Sequence, residues 1–270
     1  MLTLQDFRTL TVPGAGFSEL LLTNGDLDRF DMRLLQDIII HAHPPIKFIH
    51  TQEFITYKGK EELIDLTSED PDLRSLSVRT VNRTRDIGSL LGGAQVVVHP
   101  GGIRKDQADR SVLLANLERS LKILGSFRLL LENMPSYYWL RRSEKLRSNV
   151  CCSIEDMLRF ASFVEGVVLD TSHGYLSKPH GDAGFNEKYM TIFGRKVAHL
   201  HVSDALAPDR EGLQIGDGRV DFSFLKHVSA PILVEVWNGH ESRGQGFKTA
   251  IERIRSMERA WNPTGQKGAQ

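Results

Sequence analysis

The feature that most constrains this chain is an alternation. Seven short apolar runs recur along it: FSELLLT (17–23), KFIHTQ (47–52), AQVVVHPG (94–101), RLLLENM (128–134), GVVLDTSH (166–173), VAHLHVSD (197–204) and PILVEVW (231–237). Between and after them lie LDRFDMRLLQDIII, SVRTVNRTRDIGSLL, RSVLLANLERSLKIL, SIEDMLRFASFV and GFKTAIERIRSM, whose apolar residues fall three and four apart, the period of a helix. Ser153, three residues before Asp156, marks one helix start as a capping box. Strands alternating with helices pair in parallel through right-handed crossovers. Strands that are apolar throughout are covered on both faces. An open doubly wound sheet and a closed barrel both satisfy this pattern.

Polar residues at the strand ends favour the barrel. The last six runs carry, near their C-terminal ends, His50, His99, Glu132, Asp170, His201 and Glu235. Side chains alternate faces along a strand, so Phe48 shares a face with His50, Val97 with His99, Leu130 with Glu132, Val168 with Asp170 and Leu233 with Glu235. Each polar group thus stands one step above an apolar inward layer. Six such groups converging on one rim is what a closed barrel produces, and barrel active sites sit at that rim. We therefore expect an α/β fold, a TIM (β/α)8-type barrel, as a single domain over 1–262 with a frayed tail at 263–270. A length of 270 residues suits a fold that typically takes ~250. LQDFRTLTVPG reads as a short helix and turn with no strand before it. The first strand is then missing, very short or atypical, and closure between FSELLLT and PILVEVW is irregular.

Carboxylates and imidazoles bind Zn²⁺, Mn²⁺, Co²⁺ or Mg²⁺ according to site geometry. Three carboxylates and a histidine would hold one divalent cation with positions left for substrate oxygens, where it polarises a carbonyl or phosphoryl group. His199, deeper on the same face as His201, reads as packing or support. His41 and His43 precede a strand, at the opposite end of a barrel, and receive no role.

Lys plus Arg and Asp plus Glu number 34 each, so no global basic field draws the chain to nucleic acid or anionic lipid. No apolar run approaches the ~20 residues of a membrane span, and the first residues do not read as a signal peptide. Adjacent Cys151 and Cys152 do not make a disulfide framework and suggest reduced thiols in a cytoplasmic protein.

VVVHPGG, LLLENMP, VVLDTSHGYL, AHLHVSDALAPDREGLQIGDGRVDF and ILVEVW, in this order and spacing, resemble the xylose isomerase-like TIM barrel superfamily across about residues 17–255. The resemblance implies that Glu132, Asp170, His201 and Glu235 bind one metal. It also implies that Glu132 and Glu235 move protons at a substrate carbon, that His173 contacts substrate, and that the loop after strand seven supplies Arg210. Trp237, closing the VEVW segment, joins these as a substrate-contact candidate. Endonuclease IV-like members hold further ions. His50 and His99 match the ligands of a second ion. A third needs His173 with an Asp-x-His in the loop after strand seven, and this chain offers Asp209 with no following histidine.

The function expected is that of a metal-dependent isomerase or epimerase of a sugar, sugar phosphate or glycan precursor, with Glu132 and Glu235 as the proton carriers. The alternative is an endonuclease IV-like phosphodiesterase. For that reading, SYYWLRRSEKLR (136–147) sets Tyr137, Tyr138 and Trp139 among Arg141, Arg142, Lys145 and Arg147, a mixture that suits nucleic acid and sugar phosphates alike. A decayed, non-catalytic barrel is the third reading.

Overall fold

The apolar runs fold as strands, each shorter than its hydrophobic extent. The computed structural model describes residues 1–4, 6, 10, 12, 14–42, 44–105, 108–140 and 144–261. His43, Arg141, Arg142 and the tail 263–270 lie outside them. The strands are β1 (Leu2–Thr3), β2 (Ser18–Leu21), β3 (Ile46–His50), β4 (Phe54–Tyr57), β5 (Lys60–Leu63), β6 (Gln95–Val98), β7 (Ile103–Arg104), β8 (Leu129–Glu132), β9 (Tyr137–Leu140), β10 (Glu144–Ser148), β11 (Gly166–Asp170), β12 (Val197–Val202), β13 (Asp204–Leu206), β14 (Arg210–Leu213) and β15 (Ile232–Val234).

Eight of these form one parallel sheet in the order β1-β2-β3-β6-β8-β11-β12-β15, the strand succession of a TIM-type barrel. The other strands make small sheets above the C-terminal ends: β4 with β5, β7-β10-β9, and β13 with β14. Of the expected forms of the first strand, missing, very short or atypical, the very short one is found, so the absence of any strand before LQDFRTL is corrected. Leu2 and Thr3 pair in parallel with Leu20 and Leu21, but a two-residue strand supports only one short ladder. Among the described residues β1 pairs with β2 alone. The seam facing β15 is walled instead by apolar side chains, including Leu2, Leu10, Val12, Phe17, Ile232 and Phe247. The GVVLDTSH run is also corrected: the strand stops at Asp170, because the Asp170 carboxylate accepts the His173 N–H and starts the helix Thr171–Tyr175.

Helices start where an acceptor side chain meets the free N–H groups of a first turn. Asp70 caps Pro71–Leu90, Asp109 caps Arg110–Leu124 and Ser153 caps Ile154–Phe160. The capping box expected at Ser153 is half formed. Ser153 accepts from Asp156 N–H, but the Asp156 carboxylate turns away to Cys151 N–H and Arg110. Packing of these helices on the sheet buries Val81, Leu117, Leu121, Met157 and Phe160 in the main core, where Tyr189 of the helix Phe185–Phe193 joins them. A second, smaller cluster of Phe48, Val97, Leu130 and Val168 fills the barrel interior. These are four of the five residues read as the inward layer from strand alternation, so the polar rim is placed by the strand period itself; the fifth, Leu233, is buried at the seam beside β1 instead. Cys151 and Cys152 are free thiols. No helix among the described residues is long and apolar enough to cross a membrane.

Candidate active site at the C-terminal mouth

All six rim residues converge. His50, Glu132 and Asp170 are the last residues of β3, β8 and β11, and His201 is the penultimate residue of β12. His99 follows β6. Glu235 follows β15 and extends its ladder through an N–H donated to Val202 O. One ligand atom each from Glu132, Asp170, His201 and Glu235 lies within 4.8 Å of the others. His50, His99 and Glu132 form a second such group. Glu132 joins the two. Its Oε1 lies 3.4 Å from His201 Nδ1, while its Oε2 lies 3.3 Å from His50 Nε2 and 3.5 Å from His99 Nε2.

The donor set suits a divalent cation. His201 Nδ1 and Glu235 Oε2 approach to 2.8 Å, yet both are buried and neither makes a hydrogen bond among the described residues. Two polar atoms that crowd without bonding are arranged as ligands of a common cation would be, since ligands stand ~2.0–2.2 Å from such an ion. Electrostatics agree. Burial pushes the Asp170 carboxyl up to about 6, with Glu235 and Glu132 adding to the rise and His173 opposing it. That crowding of negative charge is what a cation relieves. Burial also opposes the charged form of His50, but the hydrogen bond and charge of Glu132 win and raise it to about 9. Glu132 lies well below the usual carboxylate range, because His201 and His99 outweigh its own burial.

His173 stands at the centre of the mouth. Its Nδ1 lies 2.9 Å from Asn133 O and 3.4 Å from Glu132 Oε1, and its Nε2 lies 3.3 Å from Glu211 Oε2. Asn133 itself clamps two strands, accepting Asp170 N–H at 2.8 Å and donating to Asp170 O at 3.1 Å. Trp237 lines the same cavity as His50, His99, Asp170, His173 and Glu235. Arg210 does not. It is exposed and opens onto an adjoining recess. Asp209 is held by Lys145 at 2.6 Å.

Sequence reasoning missed Glu19, Glu53 and Glu211. Glu19, on β2, is fully buried and takes His199 Nε2 at 2.7 Å and His201 Nε2 at 3.1 Å. A lone carboxylate inside FSELLLT was its signal, since a charge buried in an apolar strand needs a partner. His199 stacks on Phe48 with ring centroids 3.9 Å apart, as a packing residue would. Glu53 accepts from Tyr138 Oη at 2.7 Å, and Glu211 arrives on a hairpin that no periodicity marks.

Residues 35–257 match the family described as xylose isomerase-like TIM barrel. The chain is 25% identical over 187 residues to the uncharacterized protein MJ1614 of Methanocaldococcus jannaschii, an overlap of 65% of this chain and 67% of that one. Its fold is similar to that of a D-tagatose 3-epimerase-like protein, with TM-score 0.68, 18% identity, and 96% and 98% of the two chains covered. It is also similar to the 3-keto-D-glucoside 4-epimerase YcjR from E. coli, with TM-score 0.67, 14% identity and 94% of each chain covered.

Proposed function

The chain belongs to the xylose isomerase-like TIM barrel family, and from that premise we propose that it is a divalent-metal-dependent isomerase or epimerase of a sugar or sugar derivative. The carrying observation is the convergence of Glu132, Asp170, His201 and Glu235 within 4.8 Å at the C-terminal mouth. The named activities of the fold neighbours, both sugar epimerases or epimerase-like, support the reading.

Glu132, Asp170, His201 and Glu235 would hold the cation, which when bound polarises a carbonyl and makes the neighbouring C–H more acidic. Glu132 and Glu235 sit at the ends of strands separated by β11 and β12, so each carboxylate would meet a bound sugar from its own side. One takes the proton from carbon and one returns it. His173, steadied by Asn133 O and Glu211, holds a substrate hydroxyl, and Trp237 walls the sugar off from water. The test follows the proton: in D₂O, with Mn²⁺ or Co²⁺ supplied, a substrate ketose gains deuterium at the carbon beside its carbonyl. A broad panel of sugars that gains none would defeat the proposal.

One observation favours a second reading, the endonuclease IV-like phosphodiesterase. His50 and His99 flank Glu132 as ligands of a second ion would. Against it, Asp209 is bound to Lys145, and Lys145 stacks over Tyr137 at 4.1 Å, so both are occupied within the protein. Cleavage of an abasic-site oligonucleotide, with two or more metal ions per chain by elemental analysis, would promote it.

A further inference from the structure

The cavity facing the rim cluster is small, about 230 Å³. That lies below the ~300 Å³ at which small-molecule sites usually begin. The space does not end there. Trp139, Glu211 and Trp237 wall both this cavity and an adjoining recess of about 330 Å³ completed by Asp209, Arg210 and Leu213. Two indoles therefore stand where one space passes into the other. Trp139 is half-buried, and Trp237 is 42% exposed.

Neither ring is there by accident of a loose loop. Trp237 N–H donates to Gly212 O at 2.8 Å. Its indole lies on the Gly212 Cα so closely that any Cβ would collide with it, and Gly212 has φ +66°, which glycine tolerates best. Trp139 is carried by β9, paired to β10 from Tyr137 to Leu140. That hairpin is tied to the β13–β14 hairpin by Lys145–Asp209 at 2.6 Å and to the rim by Tyr138–Glu53 at 2.7 Å.

The chemistry of the walls selects the occupant. Indole faces accept the C–H face of a sugar ring, while Arg210 and Glu211 at the edges take hydroxyls. A phosphate fits poorly, because Asp209 and Glu211 repel it and Lys145 already serves Asp209. Resting on the sugar isomerase or epimerase reading above, we propose that this recess is a subsite for a second sugar ring. The substrate class is then a glycosylated sugar, with the reacting residue at the metal-binding cluster and its glycosyl neighbour between Trp139 and Trp237.

The test uses Mn²⁺-loaded full-length protein, with D-fructose and a panel of glucosyl-fructoses linked through the 3-, 4-, 5- or 6-oxygen as probes. Binding is read by tryptophan fluorescence and calorimetry, and reaction by deuterium uptake from D₂O. At least one disaccharide should bind tenfold or more tighter than D-fructose. Trp139→Ala should abolish that preference and Trp139→Phe restore most of it. Leu213→Trp, which fills the recess instead of emptying it, should abolish it too, and circular dichroism melts identify any variant that does not fold. Equal binding of all probes, or a Trp139→Ala loss shared equally by D-fructose and the disaccharides, overturns the subsite. Deuterium uptake without preference leaves the reaction standing and removes the subsite. Preference without uptake on any sugar keeps the subsite and removes the reaction.

Discussion

Glu19 and His201 meet at 3.1 Å although 182 residues separate them, and the same carboxylate oxygen takes His199 at 2.7 Å. A carboxylate accepting from Nε2–H leaves Nδ1 of His201 as the free lone pair, aimed at Glu132 and Glu235. Burial would push Glu19 up, but the charge of His201 and the two imidazole hydrogen bonds hold it well below the carboxylate range. Second-layer carboxylates of this kind typically carry ~10–100-fold of metal affinity. Glu19→Gln should therefore weaken Mn²⁺ or Zn²⁺ binding by about that factor in a chelator-competition titration. An unchanged Kd would reduce Glu19 to packing. Glu19→Ala strands two buried imidazoles and should cost about 3–5 kcal/mol in urea unfolding.

Glu235→Gln and Glu132→Gln separate holding the fold from moving the proton. An amide keeps an oxygen in place and removes the base. Deuterium uptake by substrate should fall by ~10²–10⁴-fold in both, while the melting temperature stays near wild type for Glu235→Gln and drops for Glu132→Gln, whose buried carboxylate holds His50 and His201. Uptake at the wild-type rate in both variants would exclude the two glutamates as proton carriers.

Asp204 accepts four backbone N–H groups, from Ala205, Gly216, Gly218 and Val220, and is buried. It thereby shapes the loop that returns from β14 toward β15. Each buried donor left unpaired costs about 1–3 kcal/mol. Asp204→Ala should unfold at distinctly lower urea concentration than Asp204→Asn, which retains one acceptor oxygen. Equal midpoints for the two would mean that water replaces the carboxylate without loss.

Asp70 supplies the pH dependence that is simplest to isolate. The Tyr57 hydroxyl, then the N–H groups of Asp72 and Leu73 and the Lys58 ammonium, hold it at about 2 against burial, below its ordinary 3.8. A carboxyl depressed on folding stabilises the native state above its unfolded pKa and loses that contribution as pH falls through the folded one. The melting-temperature advantage of wild type over Asp70→Asn should be full at pH 5 to 7 and shrink between about pH 4 and 2. An advantage independent of pH would assign it to packing.

Much of the site was legible because strands enforce a period of two. Once Phe48, Val97, Leu130 and Val168 point inward, His50, His99, Glu132 and Asp170 point inward one step higher. Glu19 was harder to place. FSELLLT shows it as one carboxylate among apolar residues, and its partners lie in a strand 180 residues away. Arg210 and Glu211 show the same limit. Both lie on the β13–β14 hairpin, but Arg210 is exposed on the recess beside the rim cavity while Glu211 faces His173, and no loop pattern tells which neighbour turns inward.

By itself, then, the sequence determined the parallel strand succession, the apolar inward layer and the residue types at the mouth, since all three follow from local periodicity and the burial of apolar surface. Tertiary structure decided what local pattern does not encode. It ended the β11 strand at Asp170 through a side-chain cap, and let Leu2–Thr3 pair on one side only. It also set Trp139 beside Trp237 across two hairpins joined by Lys145 and Asp209. Those outcomes depend on which distant groups come within hydrogen-bonding or van der Waals reach after the sheet curls, and that reach is a property of the whole fold.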